Sequence, residues 1–216
     1  MSHPRNYTLK LHERFPKQKA ILSLFDLTGN WSRPYRERGY EVVQIDLQTG
    51  TDIMTWDYRV YPRTYFTGIL AAVPCTDFSL SGARWFKEKD GNGRTYESMA
   101  LVYKTLAIIQ WFMPGLSWWA IENPMSRIHK LCPELEQVRI SFDPYEFAGY
   151  DPVPRNSQYQ KRTWLWGKFK EPKKKSLENI DGDKFHRMCG GRSNRTKNIR
   201  SATPLGFAYA FADANL

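Results

Sequence analysis

The chain has 216 residues, 41% of them hydrophobic and 25% charged, with a formal net charge of +10. That length supports one substantial core, and the composition is that of an ordinary soluble globular protein. No apolar run reaches the roughly 20 residues of a membrane span, and the polar start MSHPRNYTLKLHERFPKQ lacks the apolar centre of a secretory leader. The positive charge favours a polyanionic partner, because lysine and arginine release counterions when they meet phosphates.

Residues 1–19 read as a basic, proline-punctuated arm. The apolar run 20–26 (AILSLFD) reads as a buried strand, broken by Thr28-Gly29-Asn30, and 31–39 as a helix closed by Gly39. The next strand, 41–46 (EVVQID), ends in Asp46. Strand, turn, helix, strand and acid together form the nucleotide-binding half of a doubly wound fold, with the carboxylate placed for ribose hydroxyls. A third buried strand over 65–73 runs into Pro74-Cys75. In open α/β sheets ligands bind outside the carboxyl ends of the strands, so a cysteine there is placed as a nucleophile. Taken alone, it is equally a structural residue of a strand-end turn.

The stretch 79–95 (SLSGARWFKEKDGNGRT) reads as a long loop with glycine hinges, suited to a lid. Apolar spacing predicts a helix over 96–113, stopped by Pro114-Gly115. The strand 117–123 (SWWAIEN) carries Glu122 near its end, and a charge there needs a partner or a function; capping a helix near Met125 is the plain alternative. Residues 138–142 and 145–149 read as two short strands or a strand and a turn, and 163–166 as a further strand. From 168 to 199 the chain turns basic and glycine-rich, too short for a core of its own, and is expected to be an excursion from the main domain. Thr203-Pro204 opens a final helix over 205–214. The three cysteines, Cys75, Cys132 and Cys189, are odd in number and widely spaced, which fits a reducing compartment; none has zinc-site spacing, and no metal is expected.

Several of these segments together carry a resemblance. Residues 74–79 read PCTDFS, similar to the P-C-x-x-F-S nucleophile loop of the DNA cytosine-5 methyltransferases. Residues 23–29 (SLFDLTG) resemble that family's D-L-F-x-G-x-G cofactor loop, with Ser23 for the aspartate and Leu27 for the first glycine. Asp46, Asp52-Ile53 and Glu122-Asn123-Pro124 (for E-N-V) follow in order. Gln158, Gln160 and Arg162 fall on the Q-x-R-x-R positions, with Gln160 for the first arginine, and Arg200 to Pro204 matches R-x-x-T-P.

The resemblance implies an α/β, Rossmann-like class I methyltransferase core over 20–167 with a mostly parallel, doubly wound sheet. A short basic target-recognition insert would occupy 168–199, and a C-terminal helix over 200–216 would complete the core. It implies S-adenosyl-L-methionine, or a modified form of it, held by Phe25, Leu27, Gly29, Asp46, Leu47, Asp52, Ile53 and Pro74. It implies that Cys75, Glu122 and Arg162 act on a cytosine flipped out of DNA. Arg84, Gln158, Gln160, Lys173, Lys174, Lys175, Arg187, Arg192 and Arg195 would touch nucleic acid. A cytoplasmic monomer of a bacterial or phage-infected cell, with no membrane contact, is expected. Leu27, Gln160 and the lack of a visible G-N-[SA] segment leave alternatives: a nucleic-acid-binding relative without productive catalysis, the same chemistry on RNA, or transfer of a group other than methyl.

Overall fold

A computed structural model describes residues 19–180 and 193–216. The arm over residues 1–18, together with Arg187, Cys189 and Arg192, lies outside the described residues.

Six strands form one sheet: β1 (Ala20–Leu24), β2 (Glu41–Ile45), β3 (Phe66–Ala72), β4 (Trp118–Pro124), β5 (Ile140–Phe142) and β6 (Thr163–Lys168). Their spatial order is β2-β1-β3-β4-β6-β5. β1 runs parallel to β2 and β3, and β3 parallel to β4, while β6 is antiparallel to both of its neighbours. The architecture is therefore α/β with a mixed, mostly parallel sheet, compatible with a Rossmann-like fold. The chain leaves β1 for β2 on one side and returns to β3 on the other. That reversal opens a crevice at the carboxyl ends of β1 and β3.

The helices are α1 (Arg33–Glu37), α2 (Phe86–Gly91), α3 (Arg94–Phe112), α4 (Ile128–Leu131), α5 (Asn194–Ser201) and α6 (Leu205–Ala214). Alternation along the strands sorts the apolar side chains onto two faces. Leu22, Leu24, Ile69, Ala71 and Ile121 pack with Met99, Val102, Ile109 and Phe112 of α3. Ile21, Leu70, Trp118, Ala120 and Leu165 pack with Trp31 and Tyr35 beside α1 and with Phe207 and Phe211 of α6. Gly68 is opposite Trp118 in the β3–β4 ladder, and a β-carbon on it would lie 2.1 Å from the indole, so only glycine admits that ring.

The expected strands are present with shorter ends, and α6 spans the predicted residues. The segment 145–149 is a turn: a 3-10 stretch, Pro144–Tyr150, follows β5. The helix after β4 begins at Ile128 rather than near Met125.

The largest departure is the expected loop over 79–95, which instead holds a 3-10 turn (Leu80–Trp85), α2 and the start of α3. Gly93 makes the joint between the two helices, with a left-handed φ of 86°. The basic stretch divides into extended chain, whose backbone at Lys175 and Leu177 bonds to the Pro144–Tyr150 turn, and α5. No helix among the described residues is long and apolar enough to cross a membrane.

Candidate functional site

Three chain segments meet where β3, β4 and β6 come together. Ala72 pairs with Glu122, and Pro124 with Thr163, so the residues after β3, the end of β4 and the entry to β6 are neighbours. Backbone bonds stitch them: Leu80 N–H to the Met125 carbonyl at 3.3 Å, Arg127 N–H to Phe78 at 3.0 Å and Met125 N–H to Arg162 at 2.9 Å. Asn123, fully buried, donates its amide to the Val73 carbonyl at 2.8 Å, one residue before Pro74.

Cys75 is half-buried, and Glu122 is 6% exposed. Burial pushes the Cys75 thiol up. Lys161 pulls it back, Glu122 pushes it further up, and Arg200 lowers it. Burial likewise raises the Glu122 carboxyl, against the lowering effect of Lys161. Among the described residues the Glu122 carboxyl makes no hydrogen bond, and the buried Asn123 Oδ1 beside it is unpartnered too. Two unsatisfied acceptors at one strand end, next to a thiol, are a site awaiting a polar ligand.

A network of ions fixes the surrounding loops. Asp77, 6% exposed, pairs with the buried Lys89 at 3.1 Å and with Arg94 at 3.4 Å, and accepts the Ser98 hydroxyl at 2.7 Å. Lys89 also donates to the Thr76 carbonyl. Arg127 grips both oxygens of Asp90, at 2.9 and 2.7 Å, donates to the Asp77 carbonyl, and lies 3.7 Å from the Phe86 ring centroid. The Arg127 hydrogen bonds hold the Asp90 carboxyl down at about 2. The helical excursion is thus tied onto the Pro-Cys loop.

The nucleotide end of the crevice lies after β1 and β2. Phe25 takes a left-handed φ of 59°, costly for a non-glycine residue, and its N–H bonds to Ile45 at 2.8 Å. Gly29 is left-handed as well, at 66°. The buried Asp26 carboxylate accepts from Ser23 and from both the N–H and hydroxyl of Ser32, which fixes this loop to the start of α1. Phe25, Asp26, Leu27, Thr28, Ala72 and Ser201 to Thr203 line a cleft of about 200 Å³ including its open mouth. Asp46 spends one oxygen on the Gln48 N–H, Leu47 is 72% exposed and Ile53 is buried. Asp52 caps its own turn through Met54 N–H. Helix α5 crosses this end: Asn198 and Gln48 exchange two amide hydrogen bonds at 3.1 and 3.0 Å.

A carboxylate with an uncommitted oxygen beside apolar Leu47 and Ile53 fits an adenosine group. Leu27, half-buried, narrows the cleft below the roughly 300 Å³ at which pockets start to enclose a ligand of that size. Pro74 is exposed beside Cys75. Among the described residues no three His, Cys, Asp or Glu side chains come together as a metal would require. Comparison with protein-family models and with curated proteins gives no match.

The remaining residues singled out in the sequence scatter around this core. Arg162 is half-exposed and ion-paired with the buried Asp143 at 2.8 Å. Gln158 donates to the Glu178 carbonyl, Gln160 is exposed, and Arg84 stacks over the ring of Trp85, itself 45% exposed. Lys173 and Arg195 are exposed, Lys174 pairs with Glu146, and Lys175 lies over the Tyr150 ring. Lys161, Asp143, Asp77 and Arg127 carry no motif signal, and only their spatial partners identify them.

Proposed function

We propose that this chain is a DNA cytosine-5 methyltransferase that uses Cys75 as a covalent nucleophile and S-adenosylmethionine as donor. The observation that carries this reading is the pairing of a strand-end thiol with a buried, unsatisfied carboxyl in the next strand, under one shared cation. Cytosine carbon 5 is a poor nucleophile. A thiolate bonding to carbon 6 makes the ring an enamine, which divides one hard step into easier ones. The thiolate is the reacting form, and Lys161 and Arg200 oppose the burial that disfavours it. As the new bond forms, electron density moves to the ring, and a protonated Glu122 hands its proton to the ring nitrogen. Burial favours that protonated carboxyl. Arg162, oriented by Asp143, is the group this reading assigns to the ring carbonyl.

S-adenosylmethionine, when bound, supplies an electrophilic methyl group. Asp46 would take the ribose hydroxyls and Leu47 and Ile53 the adenine, with Phe25 to Gly29 bending around the rest. A stacked duplex hides carbon 6, so the base must be flipped out. Exposed Trp85, with Arg84 over it, suits contact with nucleic acid beside the Pro-Cys loop.

The narrow, Leu27-lined cleft favours a second reading, in which the chain binds nucleic acid without transferring a group. Nucleoside mass spectrometry of DNA and RNA from cells expressing the protein separates the two. The expected result is 5-methylcytosine in DNA that is absent with Cys75→Ser. Unmodified nucleic acid under strong expression would support the binding role, and a heavier cytosine would identify a different transferred group.

A further inference from the structure

Two adjacent cations enter β6, and one buried carboxylate sends them apart. Asp143 accepts the Lys161 backbone N–H at 3.0 Å and pairs with the Arg162 guanidinium at 2.8 Å. The Thr163 hydroxyl holds the Lys161 carbonyl at 2.8 Å. Neighbouring residues of extended chain project to opposite sides. Arg162 ends at Asp143 with half its side chain exposed, whereas the Lys161 ammonium reaches the Arg200 carbonyl, 3.0 Å away in the last turn of α5. Helix C-termini carry partial negative charge, which holds a lysine there. The groups whose charge acts on Cys75 are Lys161, Glu122 and Arg200, and Lys161 acts on Glu122 as well.

We propose that Lys161 is the positioning residue of the Cys75–Glu122 site, whose ammonium stabilises a single negative charge shared between thiol and carboxyl. One buried cation compensates one buried anion, not two. Thiol and carboxyl therefore titrate as a pair holding one mobile proton. When the Sγ–H bond breaks, that proton goes to a Glu122 oxygen and the charge moves to sulfur, opposite the same ammonium. The thiolate and the protonated carboxyl arise in one transfer, with no net change of charge. This rests on the methyltransferase reading only for what the thiolate then attacks.

The test needs no substrate. The rate of iodoacetamide alkylation at Cys75 is followed against pH, with peptide mass spectrometry separating it from Cys132 and Cys189. Lys161→Gln keeps a donor and removes the charge. Its profile is expected to move to higher pH, slowing alkylation at pH 7.5 by about tenfold for each unit moved. Lys161→Arg keeps the wild-type profile, Arg162→Gln leaves it in place, and Glu122→Gln moves it to lower pH. A Lys161→Gln profile that superimposes on wild type, or an equal shift in Arg162→Gln, overturns the proposal. Should Lys161→Gln lose its fold by circular dichroism, the contrast of Lys161→Arg with Glu122→Gln decides, and an unmoved Glu122→Gln profile overturns it. Methyl transfer is not measured, so a failure of that activity leaves these outcomes unchanged.

Discussion

A carboxyl that is buried without a hydrogen-bond partner costs stability, and a protein that keeps one uses it. Glu122 occupies an apolar strand between Ile121 and Asn123, where an amide or an aliphatic side chain would pack with less loss. Its folded pKa lies above the ordinary 4.5, so the folded state holds its proton more tightly than the unfolded chain. Stability therefore falls as the pH rises from that ordinary value through the raised one. Glu122→Gln removes this slope. Its melting temperature is expected to exceed wild type at pH 8, with the gap closing toward pH 4.5, while transfer activity is lost. Melting curves across that range test the point, and a variant less stable than wild type at pH 8 would show that the carboxyl is structurally satisfied. Cys75 and Glu122 were both legible in the sequence because each ends a short apolar strand. Lys161 was not: its role depends on Asp143, 18 residues away, and on the Arg200 carbonyl, 39 residues away.

At the scale of elements, the strands could be read from apolar runs bounded by turn residues, and α6 from its proline and its alanine-aromatic pattern. The segment 79–95 could not. Its three glycines and alternating charges suggest solvated chain, but the charges find partners distant in sequence and fold it into helix. Asp77 is the centre of that arrangement, contacting Lys89, Arg94 and Ser98. Asp77→Asn leaves the Lys89 ammonium buried without its counter-ion, a change that costs about 3–5 kcal/mol. Urea unfolding should show that loss, and limited proteolysis should cut first near residues 86–95. A loss under 1 kcal/mol, roughly the scale of an exposed pair, would mean that the excursion is held by packing alone. The division of the basic stretch was equally hidden: Lys174 and Lys175 lie on the Pro144–Tyr150 turn, and α5 roofs the crevice.

Over the whole molecule, the sheet order puts three things at one edge: the bent loop after β1, the acid after β2 and the thiol after β3. Helix α5 spans them, from Gln48 at one end to the Lys161 ammonium at the other. A cofactor and a base approaching from this edge would meet between the cleft and Cys75, and the net charge of +10 attracts the phosphates that carry the base. The central claim is that Cys75 bonds to cytosine carbon 6 in DNA. Duplex DNA of randomised sequence carrying 5-fluorocytosine tests it most directly, because fluorine at carbon 5 blocks the proton loss that releases the enzyme. With S-adenosylmethionine present, the account predicts a denaturant-resistant protein–DNA adduct that mass spectrometry maps to Cys75 and that Cys75→Ser does not form. Methylation of ordinary DNA with no adduct on the fluorinated pool, or an adduct that persists in Cys75→Ser, would contradict it.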